Sequence, residues 1–176
     1  MENINNIFLI GMMGSWKSTV GQKLALNKTI QFVDTDQAIE KIMSMKISEI
    51  YDEFGEEKFR EMESSYFIEK SKQTGFIFST GGGIVIGKKN RNILQSKGIC
   101  FLLNASPKIL ASRIKNIEKR PLLNNVEDIE KQLIKIWNKR KKLYNSSAHY
   151  TINTENIKPN EIVLQILKIL TFHENN

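Results

Sequence analysis

The most chemically informative residues lie near the start of the chain, where an apolar segment runs into a loop of glycines and polar residues. Residues 7–19 read Ile-Phe-Leu-Ile-Gly-Met-Met-Gly-Ser-Trp-Lys-Ser-Thr. The pattern GxxxxGK[ST] is met at Gly11, Lys17 and Ser18, while Trp16 stands at the second glycine position. In such a loop, backbone N–H groups and the positive end of the following helix hold phosphate groups. The segment therefore predicts a site for a nucleoside triphosphate.

The small and polar residues of this loop each have a physical reason for their type. Gly11 allows the chain to turn sharply off the strand, and Gly14 allows backbone N–H groups to approach phosphate oxygens without an intervening Cβ. Lys17 can bridge the terminal phosphates, and the Ser18 hydroxyl can ligate Mg²⁺. The loop thus predicts both a triphosphate and a magnesium ion.

Trp16 is the exception to this pattern. A glycine is common at its position because the loop requires a backbone conformation that costs a residue with a Cβ on the order of 1–3 kcal/mol. A bulky indole could displace a peptide group from the phosphate site, narrow the site, or point into solvent. We favour an ATP site that is recognisable and impaired.

Two carboxylates, Asp34 and Asp36, follow the apolar pair Phe32-Val33. Because the carboxyl ends of parallel strands meet at one edge of a sheet, both can face the same crevice as the phosphate loop. One could hold Mg²⁺ through water, and the other could take a substrate hydroxyl. The alternative is structural, since Asp36 precedes an amphipathic helix and would cap it.

Further anion-binding groups are spread along the rest of the chain. Three successive glycines at 81–83 follow a strand-like segment at 76–79, and they expose backbone N–H groups to an oxyanion or a hydroxyl. A plain tight turn would have the same sequence. Arg60, Arg120 and Arg140 carry guanidinium groups suited to carboxylates and phosphates. Surface solvation would explain any single arginine, so the interpretation rests on the set.

The composition is typical of one globular domain of 176 residues with a net charge of +7. No nucleic-acid-binding motif accompanies the positive charge, so a small anionic ligand is favoured over a nucleic acid. Apolar segments such as Ile99–Leu103 are far shorter than the roughly 20 residues that span a bilayer. The single cysteine, Cys100, supports neither a disulfide nor a zinc cluster, and Met1 lies too close to the first strand for a signal peptide. We expect a cytoplasmic protein that binds neither nucleic acid nor membranes.

Strand-sized apolar segments alternate with helical patterns, which is typical of parallel strands joined by crossover helices. We expect a short helix that ends at Gly55, and a helix that is capped by Ser106 and begins at Pro107. The predicted strands lie at about 6–10, 31–33, 76–79, 99–103 and 148–152. The longer predicted helices lie at about 17–27, 36–44, 57–73, 87–96, 107–115, 126–143 and 159–171.

The ordered set of motifs resembles the shikimate kinase family from about Phe8 to Thr154. The motifs are the phosphate loop, Asp-Thr-Asp at 34–36, Phe-Arg-x-x-Glu at 59–63, Gly-Gly-Gly at 81–83, Arg-Pro-Leu-Leu at 120–123 and Arg-x-x-Leu-Tyr at 140–144. The resemblance implies an α/β, three-layer P-loop NTPase fold of the nucleoside-monophosphate-kinase type, with a five-stranded parallel sheet in the order 2-3-1-4-5. Residues 1–176 would form a single kinase domain, with a substrate-binding helical region at about 35–63 and a lid at about 114–125.

The reaction implied by this resemblance is ATP-dependent phosphorylation of the 3-hydroxyl of shikimate, a step toward chorismate and the aromatic amino acids. Asp36 would bind the substrate hydroxyls and is a candidate general base. The arginines would hold the substrate carboxylate, and Glu63 would orient Arg60 or its water network. The residues implied to hold shikimate are Asp36, Arg60, Gly82, Gly83 and Arg140.

On the nucleotide side, the resemblance implies that Lys17 and Arg120 neutralise charge on the transferred phosphoryl group. Ser18 and Asp34, the latter through water, would organise Mg²⁺, and Arg113 would stack near adenine. The residues implied to bind ATP are Gly11, Met13, Gly14, Ser15, Trp16, Lys17, Ser18, Thr19, Arg113 and Arg120. ATP and shikimate would be the partners of a monomer.

Two alternatives stay open at the level of sequence. Another small-molecule kinase of this fold, such as a gluconate or nucleotide kinase, would share the phosphate loop, although the paired aspartates and arginines favour a hydroxylated carboxylic acid. A nucleotide-binding module without activity, disabled by Trp16, is the second alternative, and the retention of Lys17 and Ser18 argues against it. Lys142 also departs from the family, which often has proline there.

Overall fold

The computed structural model describes residues 6–115, 121–124 and 126–174. One parallel sheet carries five strands in the order β2-β3-β1-β4-β5. The strands are β1 (Asn6–Ile10), β2 (Gln31–Asp34), β3 (Phe76–Ser79), β4 (Gly98–Asn104) and β5 (Tyr150–Asn153). The parallel sheet and its strand order confirm the prediction.

Helices connect these strands, and a further helix follows the last strand. They are α1 (Lys17–Lys28), α2 (Thr35–Met43), α3 (Ile47–Lys70), α4 (Lys88–Ser96), α5 (Pro107–Arg113), α6 (Ile129–Ser147) and α7 (Pro159–Glu174). Short 3-10 helices lie at Ile84–Ile86 and Pro121–Leu123. The predicted helices differ from the observed ones at their ends; for example, α6 ends four residues later than predicted.

Successive side chains of a strand point to opposite faces of the sheet, and helices cover both faces. Phe8 and Ile10 of β1 pack in one apolar cluster with side chains of α3, α4, α5 and α6. Ile7 and Leu9 pack in a second cluster with side chains of α1 and α7. The two clusters establish the predicted three-layer architecture.

A third, smaller cluster joins α2 to α3 beside the sheet. Ile39, Ile50 and Phe59 are buried in it. Gly55 adopts φ 81° and ψ 168°, so it interrupts the helical backbone of α3 and separates an initial helical segment from a longer one. The predicted helix end at Gly55 is confirmed, and the interruption changes the direction of the chain just before Phe59.

The predicted cap of α2 is wrong, and the predicted cap of α5 is correct in position only. Asp34, not Asp36, caps α2, because Asp34 Oδ1 accepts hydrogen bonds from the N–H groups of Asp36 and Gln37 at 3.1 and 3.2 Å. Ser106 precedes Pro107 at the start of α5, but its side chain forms no capping hydrogen bond. The Ser106 N–H instead donates to Glu155 Oε1 at 2.7 Å, so a carboxylate from the loop after β5 fixes the position of Ser106.

Two expectations from composition can also be compared with the structure. Cys100 is fully buried within β4, and burial raises the pKa of its thiol. In the ranges that the structure describes, no helix combines the length and the apolar character needed to span a membrane.

The buried side chain of Asn6 ties β1 to the segment that leads into β3. Its Oδ1 accepts from the Phe76 N–H at 3.0 Å, and its Nδ2 donates to the Gln73 carbonyl at 2.7 Å. Asn6 is fully buried, so water cannot replace it as a partner for these backbone groups.

We expect Asn6→Ala to lower the free energy of unfolding by about 1–3 kcal/mol, because it leaves the buried Phe76 N–H without an acceptor. Urea denaturation measures the change. Asn27→Ala is the matched control, since the Asn27 amide donates to the Lys23 carbonyl on the exposed surface of α1. It should change stability by less than about 0.5 kcal/mol. Equal losses in the two variants would contradict the assigned role of Asn6.

Candidate functional site

One cavity of about 460 Å³ opens at the carboxyl edge of the sheet. Its wall is formed by the phosphate loop after β1, the end of β2 with α2 and α3, and the turn after β3. Strand ends in an open parallel sheet are the expected position for a ligand site. Residues 121 and 122 and Arg140 of α6 complete the wall, so the cavity collects residues that are far apart in the sequence.

The phosphate loop has the backbone geometry that its sequence predicts. Gly11 has φ 142°, and a Cβ there would lie 2.4 Å from the Leu103 carbonyl oxygen of β4. Both the conformation and the space therefore require glycine. Lys17 is only 8% exposed, and its Nζ donates to the carbonyl oxygens of Gly11 and Met12 at 2.9 Å each. The ammonium group is held against the loop, beside the cavity.

Oxygen atoms from the start of α1 and from the ends of β2 and β3 form a cluster beside the phosphate loop. Ser18 Oγ donates to Asp34 Oδ2 at 2.5 Å and lies 3.1 Å from Ser79 Oγ. Hydroxyl and carboxylate oxygens of this kind are ligands for a hard divalent cation such as Mg²⁺. Ser79 was not among the predicted site residues, although a polar residue at the carboxyl end of the buried strand β3 was a usable signal.

Trp16 has φ 67° and ψ 20°, a left-handed conformation that favours glycine. The indole covers the guanidinium of Arg113, whose Cζ lies 3.5 Å from the ring centroid. Arg113 is also held by the residue that follows β5, because its Nη1 donates to Thr154 Oγ1 at 3.0 Å. The side chain of Trp16 is half-buried, so the interpretation that it points into solvent is wrong.

Charged side chains of α3 form the opposite wall. Arg60 donates through Nη1 to Glu63 Oε2 at 2.8 Å and through Nη2 to Tyr51 Oη at 2.9 Å. Glu63 is 1% exposed, and burial raises the pKa of its carboxyl group even though Arg60 opposes the shift. The pair gives this wall both a fixed guanidinium and a carboxylate that is costly to ionise.

The turn at 81–83 packs directly on these charged groups. A Cβ on Gly81 would lie 2.2 Å from Glu63 Oε1 and 2.6 Å from Asp36 Oδ1. A Cβ on Gly83 would lie 2.2 Å from the Cζ of Arg60. The absence of side chains in the turn therefore allows carboxylates from α2 and α3 and the guanidinium of Arg60 to meet beside the cavity.

Helix α6 reaches the same turn from the other side. Arg140 donates to the Gly82 carbonyl at 3.2 Å, and the hydroxyl of the fully buried Tyr144 donates to the same oxygen. Burial raises the pKa of Tyr144 to about 12, so this donor keeps its proton at neutral pH. Tyr144 belongs to a recognised motif but was not among the predicted site residues. Tyr51 was not predicted either, because its contact with Arg60 has no local sequence signal.

Most of the predicted site residues lie on the cavity wall: Met13, Gly14, Ser15, Trp16, Lys17, Ser18, Thr19, Asp34, Asp36, Arg60, Glu63, Gly82, Gly83 and Arg140. Gly11 contacts the site through Lys17, and Arg113 lies under the indole of Trp16. Arg120 lies outside the described residues, as do 116–119 and 125 of the predicted lid. Pro121 and Leu122, from the described part of that segment, line the cavity.

The five-stranded sheet with a phosphate loop at its carboxyl edge defines a P-loop NTPase fold. Residues 13–171 match the family model described as shikimate kinase. The shikimate kinase of Thermodesulfovibrio yellowstonii is 38% identical over 165 residues, which cover 94% of each chain. That of Buchnera aphidicola subsp. Schizaphis graminum is 38% identical over 97% of this chain and 98% of its own. The solved structure of shikimate kinase from Acinetobacter baumannii in complex with shikimate superposes with a TM-score of 0.94 at 32% identity, covering 99% of this chain and 97% of that one. The chain belongs to the shikimate kinase family.

The raised pKa of Glu63 predicts a pH dependence of stability. Because the folded protein binds the Glu63 proton more tightly than the unfolded chain does, protonation of Glu63 stabilises the fold. This stabilisation is fully present below the ordinary glutamate pKa of about 4.3 and is lost as the pH rises through the raised folded-state pKa. We expect Glu63→Gln to flatten this decline in the free energy of unfolding, measured by urea denaturation between about pH 4 and pH 8. Glu69→Gln is the control, because Glu69 is 74% exposed. A profile of Glu63→Gln with the same slope as the unmodified protein would contradict the assignment.

Proposed function

We propose that this protein transfers the γ-phosphoryl group of ATP to the 3-hydroxyl of shikimate, giving shikimate 3-phosphate on the route to chorismate and the aromatic amino acids. The main support for this proposal is the composition of one cavity. Part of its wall is the phosphate loop, and another part, which we call the acceptor wall, contains Asp36, Arg60, Glu63 and Arg140. A polyanionic donor and a hydroxylated carboxylic acid need these two sets of groups. Membership of the shikimate kinase family supports the same reaction.

On the donor side, backbone N–H groups of the loop and the start of α1 would hold the phosphates of ATP. The Lys17 ammonium, which now contacts loop carbonyls, would turn to the oxygens of the transferred group. Arg120 would add a second positive charge there, and Arg113 would lie near adenine. Catalysis of phosphoryl transfer depends mainly on such positioning and charge neutralisation.

The residues present fit Mg²⁺, because the cluster of Ser18, Asp34 and Ser79 supplies the hard oxygen atoms that this ion binds beside phosphates. Ser18 would bind the ion directly, and Asp34 would hold it through water. An ion held by these residues would supply positive charge that offsets the negative charge on the phosphates during transfer.

On the acceptor side, Asp36 would bind hydroxyls of shikimate and is the candidate general base. Its Oδ1 lies against the Gly81 backbone, at the junction of the loop and the acceptor wall. Arg60 and Arg140 would hold the carboxylate, together with the backbone of 82 and 83. Glu63 would keep Arg60 in orientation, which its 2.8 Å hydrogen bond supports.

We further propose that residues 1–176 act as one monomeric kinase domain in the cytoplasm. The region 35–63 would form the acceptor side, and the segment 114–125 would be a lid that closes when substrate is bound. Pro121 and Leu122 support the lid, since both already line the cavity.

A substrate panel with coupled detection of ADP tests the reaction. We expect turnover of shikimate, and no comparable turnover of gluconate or nucleoside monophosphates. Asp36→Asn should lower kcat by about 100-fold or more, because it removes the proton acceptor. Asp52→Asn, at an exposed position of α3, should retain full activity. Phosphorylation of gluconate without shikimate would overturn the proposed substrate.

Trp16 generates a separate prediction for nucleotide affinity. We expect Trp16→Gly to bind ATP about tenfold more tightly, because the indole covers the face of Arg113 that adenine would use. Isothermal titration calorimetry with ATP measures the change. Thr29→Gly is the control, since Thr29 has a similar left-handed backbone (φ 54°) at the other end of α1. ATP affinities that are equal for Trp16→Gly and the unmodified chain would refute the impairment.

A further inference from the structure

The guanidinium of Arg60 is almost fully used by hydrogen bonds within the protein. An arginine has five N–H donors. Arg60 directs Nε–H and one Nη2–H to Glu56 Oε1, at 3.3 and 3.2 Å, and its other Nη2–H to Tyr51 Oη. One Nη1–H goes to Glu63. Among the described residues, these contacts leave a single Arg60 N–H for a ligand.

The partners of Arg60 lie on different sides of it. Glu56 is 46% exposed and is not part of the cavity wall. Tyr51 and Arg140 are both part of that wall, beside Arg60. The edge of the guanidinium formed by Nε and Nη2 is therefore occupied from outside the cavity by a carboxylate. The remaining N–H belongs to Nη1, and Tyr51 Oη contacts the neighbouring Nη2 at 2.9 Å, so the Tyr51 hydroxyl lies near that donor on the cavity wall.

The Tyr51 hydroxyl can donate to a ligand in the cavity, which Tyr51 lines. Its oxygen accepts a hydrogen bond from Arg60, so its own proton is available to another acceptor. The ring packs against Phe59 with centroids 5.0 Å apart, and the interruption at Gly55 brings these parts of α3 together. Burial raises the pKa of Tyr51 to about 12, although Arg60 opposes the shift, so the phenol is neutral at physiological pH.

We propose that Tyr51 binds the substrate directly, with its O–H donating to the shikimate carboxylate beside the remaining N–H of Arg60. A planar carboxylate accepts two parallel donors, and the pair of one arginine N–H and one tyrosine O–H supplies them. The hydrogen bond that Tyr51 receives from Arg60 polarises its O–H and strengthens the donation. This inference rests on the proposed function for the identity of the carboxylic acid.

The test compares shikimate with its methyl ester, in which the carboxylate charge is masked. Tyr51→Phe should weaken shikimate binding about tenfold in calorimetry and raise KM for shikimate by the same factor. Its kcat and its KM for ATP should stay within about twofold of the unmodified enzyme. Binding of the ester should weaken much less on loss of the hydroxyl, because a neutral ester carbonyl is a weaker acceptor than a carboxylate. Tyr66→Phe is the matched control, because Tyr66 packs on the same apolar cluster of α3 and is not part of the cavity wall.

A tyrosine analogue with a more acidic phenol, incorporated at position 51, gives a second readout. Shikimate affinity should then fall as the pH rises through the pKa of the analogue, because a phenolate cannot donate and repels the carboxylate. Unchanged shikimate affinity in Tyr51→Phe, equal weakening of acid and ester, or a flat pH profile of the analogue would overturn the role of Tyr51. Failure of the unmodified enzyme to bind or phosphorylate shikimate would instead overturn the proposed function.

Discussion

The close contact between the turn at 81–83 and the charged side chains of α2 and α3 is the constraint on which the site depends. Thr80 fixes one end of the turn, because its N–H and its hydroxyl both donate to the Leu9 carbonyl of β1. Thr35 fixes the next residue, since its Oγ1 accepts from the Gly81 N–H at 3.1 Å. The turn is thus bonded to the strand that carries the phosphate loop and to the helix that carries Asp36. Any change in its position would move the donor side and the acceptor side of the cavity relative to each other.

The helices and strands were predictable from sequence because their signals are local, whereas the strand order followed from the resemblance to the shikimate kinase family. Each strand is a short apolar segment, and the phosphate loop has a fixed spacing between β1 and α1 that allows few other structures. The cavity wall followed from the same information, since parallel strands bring their carboxyl ends to one edge. The cap of α2 was assigned to the wrong aspartate because both residues satisfy the same sequence rule, and only the bounds of the helix distinguish Asp34 from Asp36.

The contacts that sequence did not predict join residues whose spacing along the chain carries no signal. Tyr51 meets Arg60 because Gly55 interrupts the helix between them, and no periodic pattern connects positions nine residues apart across such an interruption. The direction of the Trp16 side chain depends on Arg113, which the loop after β5 holds in place. The place of Ser79 in the site depends on its contact with Ser18, and this contact forms only because β3 pairs with β1.

The internal hydrogen bonds of Arg60 reflect a general conflict at buried charged sites. A guanidinium that is only 19% exposed must be paired, because an unpaired charge in this environment would be strongly destabilising. Each partner that stabilises Arg60 removes a donor from the ligand, so recognition of an anion has to be shared with neighbouring groups. Arg140 is suited to this, since Tyr144 also donates to the Gly82 carbonyl and continues to satisfy it when Arg140 turns to a ligand. The acceptor wall therefore divides two tasks: buried pairs fix its shape, and the donors at its surface bind.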